Sequence, residues 1–175
     1  MARDGGGRPT VESARSIGVA DFTGLDVWGP GAVFGTSMTW TRQTWNGPVV
    51  TANAEFDVSV GEGEARIRVK RVRLHEHWSG GDLTVAVGQE IELTTRPAYF
   101  GGWRWYFICP RSGELALRLH LPLGASGFAS RRAYGLGYAV QRESPRDKAF
   151  RRARKARRKI GGGYNARSAW LISLD

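Results

Sequence analysis

The sequence contains a single cysteine, Cys109, so no disulfide can form within the chain. It also lacks any run approaching the roughly 18 apolar residues that a membrane-spanning helix needs. The N-terminal segment has no apolar core of the kind found in signal peptides. These three absences predict a soluble cytoplasmic protein that does not associate with membranes.

Recognisable catalytic motifs are missing as well. The glycine-rich stretches match no phosphate-binding loop, and no Gly-x-Ser-x-Gly elbow is present. Cys109 has no histidine at a catalytic spacing, which predicts a buried structural thiol. His75 and His77 can share one face of a strand, but Glu76 between them points to the other face and could not join them in binding a metal ion. We interpret both as surface histidines. We therefore expect no enzymatic activity, no cofactor and no bound metal.

The composition supports a folded, β-rich protein. Hydrophobic residues make up 41% of the 175 residues, which is enough to bury a core. The 24 glycines and 7 prolines indicate many turns, as expected for short strands joined by loops. The length suits one domain of ordinary size with extensions.

An alternation of apolar and polar residues predicts antiparallel strands from about residue 36 to residue 121. Residues 36–45 and 49–60 are predicted to form a hairpin, because the intervening Asn46-Gly47 readily adopts the positive φ angles of a tight turn. In residues 65–70, small apolar side chains alternate with Arg and Lys. One face of that strand is therefore predicted to be apolar and the other basic.

Three further segments show the same period of two. Residues 83–87 and 91–93 alternate on either side of Gly88-Gln89, which predicts a second hairpin. Residues 103–108 predict an aromatic strand, and the alternating leucines of 115–121 predict a further strand. Most of the fold is thus expected to be antiparallel sheet.

The strongest functional signal is the sequence RRARKARRK at residues 151–159, in which seven of nine residues are cationic. Residues 142–160 hold ten Lys or Arg against two acids, a net charge of +8. The rest of the chain holds 16 basic and 14 acidic residues, a net charge of +2. A nearly neutral body is therefore expected to carry one concentrated cationic element, which creates a local field.

This cationic element carries the boundary signals of a helix. Ser144 is a suitable N-cap, Pro145 suits the first helical position, and Asp147 adds an acid to the first turn. The glycines at 161–163 are expected to end the helix. We predict a basic α-helix over residues 144–160.

Part of the sequence resembles a family of small uncharacterised bacterial proteins, common in proteobacteria, in which a zinc-ribbon-like module precedes an Arg-rich helix. The matching pieces are WRWYFICP (103–110), ELALRLHLP (114–122), FASRRAYGLGYAVQRES (128–144), the helix up to Gly161, and GRPTVE (7–12), which resembles the family's opening. The resemblance covers about the C-terminal third of the chain well and the middle weakly.

The resemblance implies two knuckles that would hold a zinc ion through four Cys or His ligands. Cys109 stands at the first ligand position, whereas Ser112, Ser130 and Ala133 stand at the other three. One thiolate cannot hold a tetrahedral zinc ion. We therefore expect a metal-free form of the module, which lacks three of the four Cys ligands and is held together by packing.

These observations predict an α+β protein with a mainly antiparallel β-sheet body, a metal-free ribbon-like hairpin and a C-terminal basic helix. The predicted organisation is a mobile basic arm and loop (1–35), an antiparallel β body (36–98), a degenerate zinc-ribbon-like hairpin module (99–143), the basic helix (144–160), and a glycine linker with an apolar tail (161–175).

The basic helix predicts a polyanionic partner, most simply nucleic acid. Lys and Arg neutralise phosphates and release counterions, and the planar fork of Arg suits phosphate oxygens. The residues predicted to contact nucleic acid are Arg131, Arg132, Arg142, Arg151, Arg152, Arg154, Lys155, Arg157, Arg158 and Lys159. DNA is the favoured partner and structured RNA the next. Phosphate contacts carry no sequence information, so no sequence specificity is predicted.

Alternatives remain open for the helix and for an aromatic segment. The helix could instead dock on an acidic protein partner or subunit, or form a solvated surface. The aromatic side chains of residues 99–107, beside Arg96 and Arg104, could stack on unpaired bases. Packing in the core of the sheet is the favoured interpretation of those aromatics.

Overall fold

The computed structural model describes residues 9–45, 47–75, 82–86 and 88–159, without the side chains of Asp82, Arg142, Arg158 and Lys159. It is mostly antiparallel sheet with a C-terminal helix, which confirms the predicted α+β class. The chain divides into two units with the boundary between Gly137 and Tyr138.

The described residues form ten strands, two α-helices and two 3₁₀ turns. The strands are β1 (Arg15–Gly18), β2 (Val33–Thr44), β3 (Gly47–Val60), β4 (Glu64–His75), β5 (Asp82–Val85), β6 (Gln89–Pro97), β7 (Trp103–Ile108), β8 (Leu115–Ala116), β9 (Arg118–Leu121) and β10 (Ala129–Ser130). The helices are α1 (Ala20–Thr23) and α2 (Pro145–Lys159), and the 3₁₀ turns are Val11–Ser13 and Ala139–Arg142.

The strands form two sheets. The larger sheet has seven strands in the order β2-β3-β4-β6-β7-β8, with β5 also paired to β4, and it curls into a half-barrel. The smaller sheet has the order β1-β9-β10. All of these strand pairs are antiparallel, so neighbouring strands exchange backbone hydrogen bonds perpendicular to their direction.

The first predicted hairpin is confirmed. β2 pairs with β3 from Val33↔Ser59 to Thr44↔Gly47, so the chain reverses between Thr44 and Gly47, one residue before the predicted turn at Asn46-Gly47. The Thr44 hydroxyl donates to the Gly47 carbonyl at 2.7 Å and fastens the end of the hairpin. The first strand begins three residues earlier than predicted.

The second predicted hairpin is wrong, because the chain does not reverse at Gly88. β5 and β6 both pair with β4, through residues 72–75 and 64–69 respectively, so they follow one edge of β4 in the same direction. Positive φ angles at Ala86 (58°) and Gly88 (75°) mark the break between β5 and β6. The Gly88 N–H donates to the Val69 carbonyl at 2.8 Å, which keeps the interruption against β4.

The predicted leucine strand 115–121 is also divided. β8 pairs with β7 in the larger sheet, whereas β9 lies between β1 and β10 in the smaller sheet. The break falls at Leu117, whose carbonyl accepts the Val19 N–H at 3.0 Å. The strand therefore carries the chain from one sheet to the other.

Two predicted domain boundaries fall inside structured regions. The boundary between residues 98 and 99 lies between β6 and β7, which pair from Leu93↔Phe107 to Pro97↔Trp103. The segment 1–35, predicted as arm and loop, contains β1 and α1. Residues 1–8 of that arm lie outside the described residues.

The core of the first unit is centred on Phe22 of α1. Its ring meets Phe56 of β3 edge-to-face at a centroid distance of 5.3 Å, and Phe107 of β7 at 6.2 Å. All three rings are fully buried, together with Ile17 of β1 and Leu119 of β9. One continuous cluster thus joins α1, the smaller sheet and the larger sheet.

Phe56→Ala is expected to lower the free energy of unfolding by about 3–5 kcal/mol, because it opens a cavity between α1 and the sheet. Urea denaturation followed by circular dichroism measures this change. The matched control is Val33→Ala, at a side chain that is 81% exposed, where we expect a change within about 0.5 kcal/mol. Equal effects of the two substitutions would contradict the packing described here.

Candidate nucleic-acid interface

Helix α2 begins with the predicted N-cap. The Ser144 hydroxyl accepts the Asp147 N–H at 3.1 Å and donates to the Asp147 carboxylate at 2.7 Å. The Ser144 hydroxyl accepts a hydrogen bond from one of the N–H groups that the first turn leaves without a helical partner. The negative charge of the Asp147 carboxylate interacts favourably with the positive end of the helix dipole. The predicted start is therefore confirmed, whereas the predicted end at Ile160 lies outside the described residues.

The cationic side chains of α2 are open to solvent. Every side chain described from Pro145 to Arg157 is exposed. Arg151 forms an ion pair with Glu143, with 2.8 Å between Nε and Oε2. The cations that form no ion pair with another described residue are Arg146, Lys148, Arg152, Arg154, Lys155 and Arg157.

Several of these cations repel one another. Lys148 and Arg152 stand four residues apart, and Arg154 and Arg157 three apart, so each pair lies on neighbouring turns of the helix. Like charges at such spacings destabilise a helix by about 0.2–0.5 kcal/mol per pair. A bound polyanion would remove this cost, because its charges would stand between those of the helix.

The remaining predicted contacts lie outside α2. The Arg132 guanidinium forms an ion pair with Glu114 at 3.0 Å, and Arg131 Nη1 donates to the Leu136 carbonyl at 3.4 Å. Both arginines belong to the first unit, whereas α2 belongs to the second. Arg142 lies in the 3₁₀ turn before the helix, and its side chain is not described, nor are those of Arg158 and Lys159.

The exposed cations of β4 are partly neutralised by neighbouring strands: three of the five form ion pairs, whereas Arg68 and Arg73 form none among the described residues. Acidic side chains of β3 and β6 stand opposite its cations. The pairs are Arg66–Glu92 (3.5 Å), Lys70–Asp57 (3.3 Å) and Arg71–Glu55 (2.7 Å). The hydrogen bond from Arg71 lowers the pKa of Glu55, which keeps that carboxylate ionised. This face therefore offers a polyanion less free positive charge than α2 does.

The two predicted knuckles contact each other around Cys109. The Ser130 N–H donates to Cys109 Sγ at 3.2 Å, and the Ala133 N–H donates to Ser130 Oγ at 3.1 Å. Each knuckle is a tight turn: the Gly113 N–H donates to the Cys109 carbonyl at 2.8 Å in the first. The Ser130 hydroxyl thus accepts a backbone N–H three residues ahead, a contact that closes the second turn.

The donor set of this region does not fit zinc. Cys109 is the single thiol, Ser112 and Ser130 offer neutral hydroxyls, and Ala133 offers no donor at all. Within the described ranges, no group of three or more His, Cys, Asp or Glu side chains could hold a metal ion. Of the His75, Glu76 and His77 cluster, only His75 is described.

The environment of Cys109 favours the thiolate, which the sequence did not indicate. The side chain is 1% exposed, and burial alone would raise its pKa. Hydrogen bonds from the Ser112 hydroxyl and from the backbone N–H groups of Ser130 and Arg111 outweigh burial and lower the pKa to about 7. The sulfur therefore serves as an acceptor for both turns.

His120 is a second buried polar group that the strand pattern did not reveal. Its side chain is 3% exposed, and its Nδ1 has no hydrogen-bond partner among the described residues. Burial lowers the pKa of His120, and the charges of Arg118 and Arg131 lower it further. The imidazole is therefore neutral at physiological pH, which suits its place in the central strand of the smaller sheet.

The aromatic segment divides between core and surface. Phe107 is fully buried, and Trp105 packs edge-to-face on Trp28 at 5.3 Å, so the core interpretation is correct for these two. Tyr99 and Phe100, by contrast, are 96% and 97% exposed. The exposed rings lie at the turn between β6 and β7.

Comparison of the chain with protein-family models, with curated proteins and with solved structures found no match. The resemblance to a ribbon-bearing family thus stays a prediction. Among the described residues, no helix is both long enough and apolar enough to cross a membrane.

The predicted resemblance to a zinc ribbon can be tested by supplying the ligands that the sequence lacks. We expect the variant Ser112→Cys, Ser130→Cys, Ala133→Cys to bind one zinc ion per chain and to unfold at a higher temperature with zinc than without it, because it would supply the four thiolates that a structural zinc site needs. Elemental analysis and thermal unfolding measure both effects. The control adds Cys109→Ala to the three changes, and a folded triple variant that takes up no zinc would contradict the resemblance.

The titration of Cys109 gives an independent check. Thiolate absorbance should appear with a midpoint near pH 7 instead of the ordinary value near 9.0. Because the folded state loses this proton at a lower pH than the unfolded state does, stability should rise with pH between those two values. Below about pH 7 both states hold the proton, and this thiol should contribute no further pH dependence. Cys109→Ala removes both effects, and a midpoint at the ordinary value would contradict the hydrogen bonds described.

Proposed function

We propose that this protein binds nucleic acid by contacting the phosphate backbone with the cations of α2. The observation that carries the proposal is a capped helix whose exposed cations, apart from Arg151, have no acidic partner among the described residues. On β4, by contrast, three of the five exposed cations are paired with acids of neighbouring strands. A nucleic-acid partner agrees with the cytoplasmic location that the sequence predicts.

The geometry of an α-helix limits how many cations can meet one ligand. At about 100° per residue, the seven cations of residues 151–159 spread over about 220° of the circumference. Ala149, Ala153 and Ala156 occupy the remaining face. A single phosphate surface can reach about four or five cations, so we expect a log–log salt slope of about −4, from roughly −0.9 per contact.

DNA remains the favoured ligand, with structured RNA second. The major groove of B-DNA is about 12 Å wide and admits an α-helix, whereas that of A-form RNA is too deep and narrow for side chains to read. Contacts to phosphates set position and orientation and carry no sequence information. The proposed binding is accordingly independent of sequence.

A protein-docking function is the second candidate. Phe150 is 73% exposed on a helix that is otherwise polar, beside the face formed by Ala149 and Ala153. A large exposed ring next to small side chains is suited to packing against another protein, with the cations meeting acids there. This function would be favoured if binding to a protein partner were weakened by substitution of Phe150 and not by substitution of the arginines.

The proposal predicts that Arg154→Glu with Arg157→Glu weakens duplex DNA binding by about 100-fold at low salt and reduces the magnitude of the salt slope by about 2. Fluorescence anisotropy over a salt series measures both. Folding should be unaffected, because both side chains are exposed.

The matched control is Arg42→Glu with Arg73→Glu, which changes the net charge equally at exposed positions of the larger sheet. If the control weakens binding as much as the helix variant does, overall charge and not α2 is responsible. Absence of duplex binding by the unaltered protein at micromolar concentration and low salt would refute the proposal.

A further inference from the structure

The turn between β6 and β7 presents a pair of aromatic rings, which we call the aromatic tip and define as Tyr99 and Phe100. Their exposed fractions are 96% and 97%. Tyr99 and Phe100 touch edge-to-face, with 5.1 Å between ring centroids. Both rings are open to solvent, so their apolar faces are available to a ligand.

The aromatic tip is held by a hydrogen-bonded turn. The Ala98 N–H donates to the Gly102 carbonyl and the Gly101 N–H donates to the Ala98 carbonyl, both at 3.0 Å. Gly101 and Gly102 have φ angles of 87° and 76°, which side-chain-bearing residues rarely adopt. The rings are therefore presented from a defined backbone, which reduces the entropy lost on binding.

Two arginines lie on the strands that lead into and out of the aromatic tip. Arg96 and Arg104 stand directly opposite each other across β6 and β7, and both are exposed. Like charges in that position destabilise a sheet. The Arg104 guanidinium lies 5.9 Å from the Tyr106 ring centroid, and neither arginine forms an ion pair within the described part of the chain. The pair therefore suits an anion placed between its two cations.

We propose that the aromatic tip and this arginine pair bind an unpaired nucleic-acid strand. The rings would stack on successive bases, and the arginines would hold the phosphate between them. Stacking of this kind tolerates any sequence, because every base has a π face, and arginine binds phosphate through its fork. The inference takes the ligand class from the proposed function but uses residues of a different unit.

Anionic phospholipid is the main competing ligand, because aromatic rings beside arginines also suit a membrane surface. The unpaired strand is favoured by the direct opposition of the two arginines, which provides a site for one phosphate next to rings of base size. Duplex DNA is disfavoured at this site, because its bases are stacked on one another and cannot reach the rings.

The test compares a single-stranded oligothymidylate of about 20 nucleotides with a duplex of the same length, by fluorescence anisotropy of the full chain. Tyr99→Ala with Phe100→Ala should weaken binding of the single strand by at least about tenfold and binding of the duplex by less than about twofold. Trp45→Ala is the matched control, because Trp45 is 94% exposed at another hairpin turn, and it should change neither.

A second variant tests the phosphate contact. Arg96→Gln with Arg104→Gln should weaken single-strand binding and reduce the magnitude of its salt slope by about 1, because one phosphate is released. This variant retains both rings of the aromatic tip. It therefore keeps the inference testable if the aromatic variant does not fold.

The outcomes separate this inference from the proposed function. Unchanged single-strand binding by the aromatic variant, or an equal loss on both oligonucleotides, overturns the inference. Unchanged duplex binding by the Arg154→Glu, Arg157→Glu variant overturns the proposed function alone. In a further outcome, the aromatic variant loses binding to phosphatidylcholine–phosphatidylglycerol vesicles while its single-strand binding is unchanged. That result assigns the aromatic tip to a membrane surface and also overturns the inference.

Discussion

The contact of Phe22 with Phe56 and Phe107 is the constraint on which the rest of the first unit depends. A curled sheet leaves a concave apolar face that must be filled, and α1 is too short to cover it without the smaller sheet beside it. Phe107 lies near the end of β7, which leads into the turn at Cys109. The other end of β7 begins at Trp103, so one anchored strand supports both the Cys109 turn and the aromatic tip.

Neighbouring acids, more than the number of cations, distinguish the two basic elements of this chain. On β4, a cation meets an acid of the adjacent strand because antiparallel pairing places their side chains on one face, as for Arg71 and Glu55. A bulge at Glu55 and Phe56 exposes Lys70 beside Arg71, and Asp57 then pairs with Lys70. On α2, Arg151 alone is paired within the described residues, so charge accumulates there.

The features that the sequence predicted correctly are those whose determinants lie close together in the chain. Asn46-Gly47 marked the first hairpin, and Ser144 marked the start of α2. The prediction of a second hairpin was wrong because Gly88 uses its positive φ angle at a break between β5 and β6, which both pair with β4. Alternation of apolar and polar residues shows which face of the sheet a residue takes, but not which strand pairs with it. The burial of His120 was missed for the same reason, because its strand lies between two others.

The hydroxyl of Ser130 closes its turn by accepting the Ala133 N–H. A thiolate bound to a metal would perform the same closure only while the metal was supplied and the sulfur remained reduced. The hydroxyl makes this bond without a metal, so closure of the turn does not depend on a supply of zinc. The neighbouring bond from the Ser130 N–H to Cys109 Sγ needs the reduced sulfur, which makes Cys109 the point at which oxidation would act on this region.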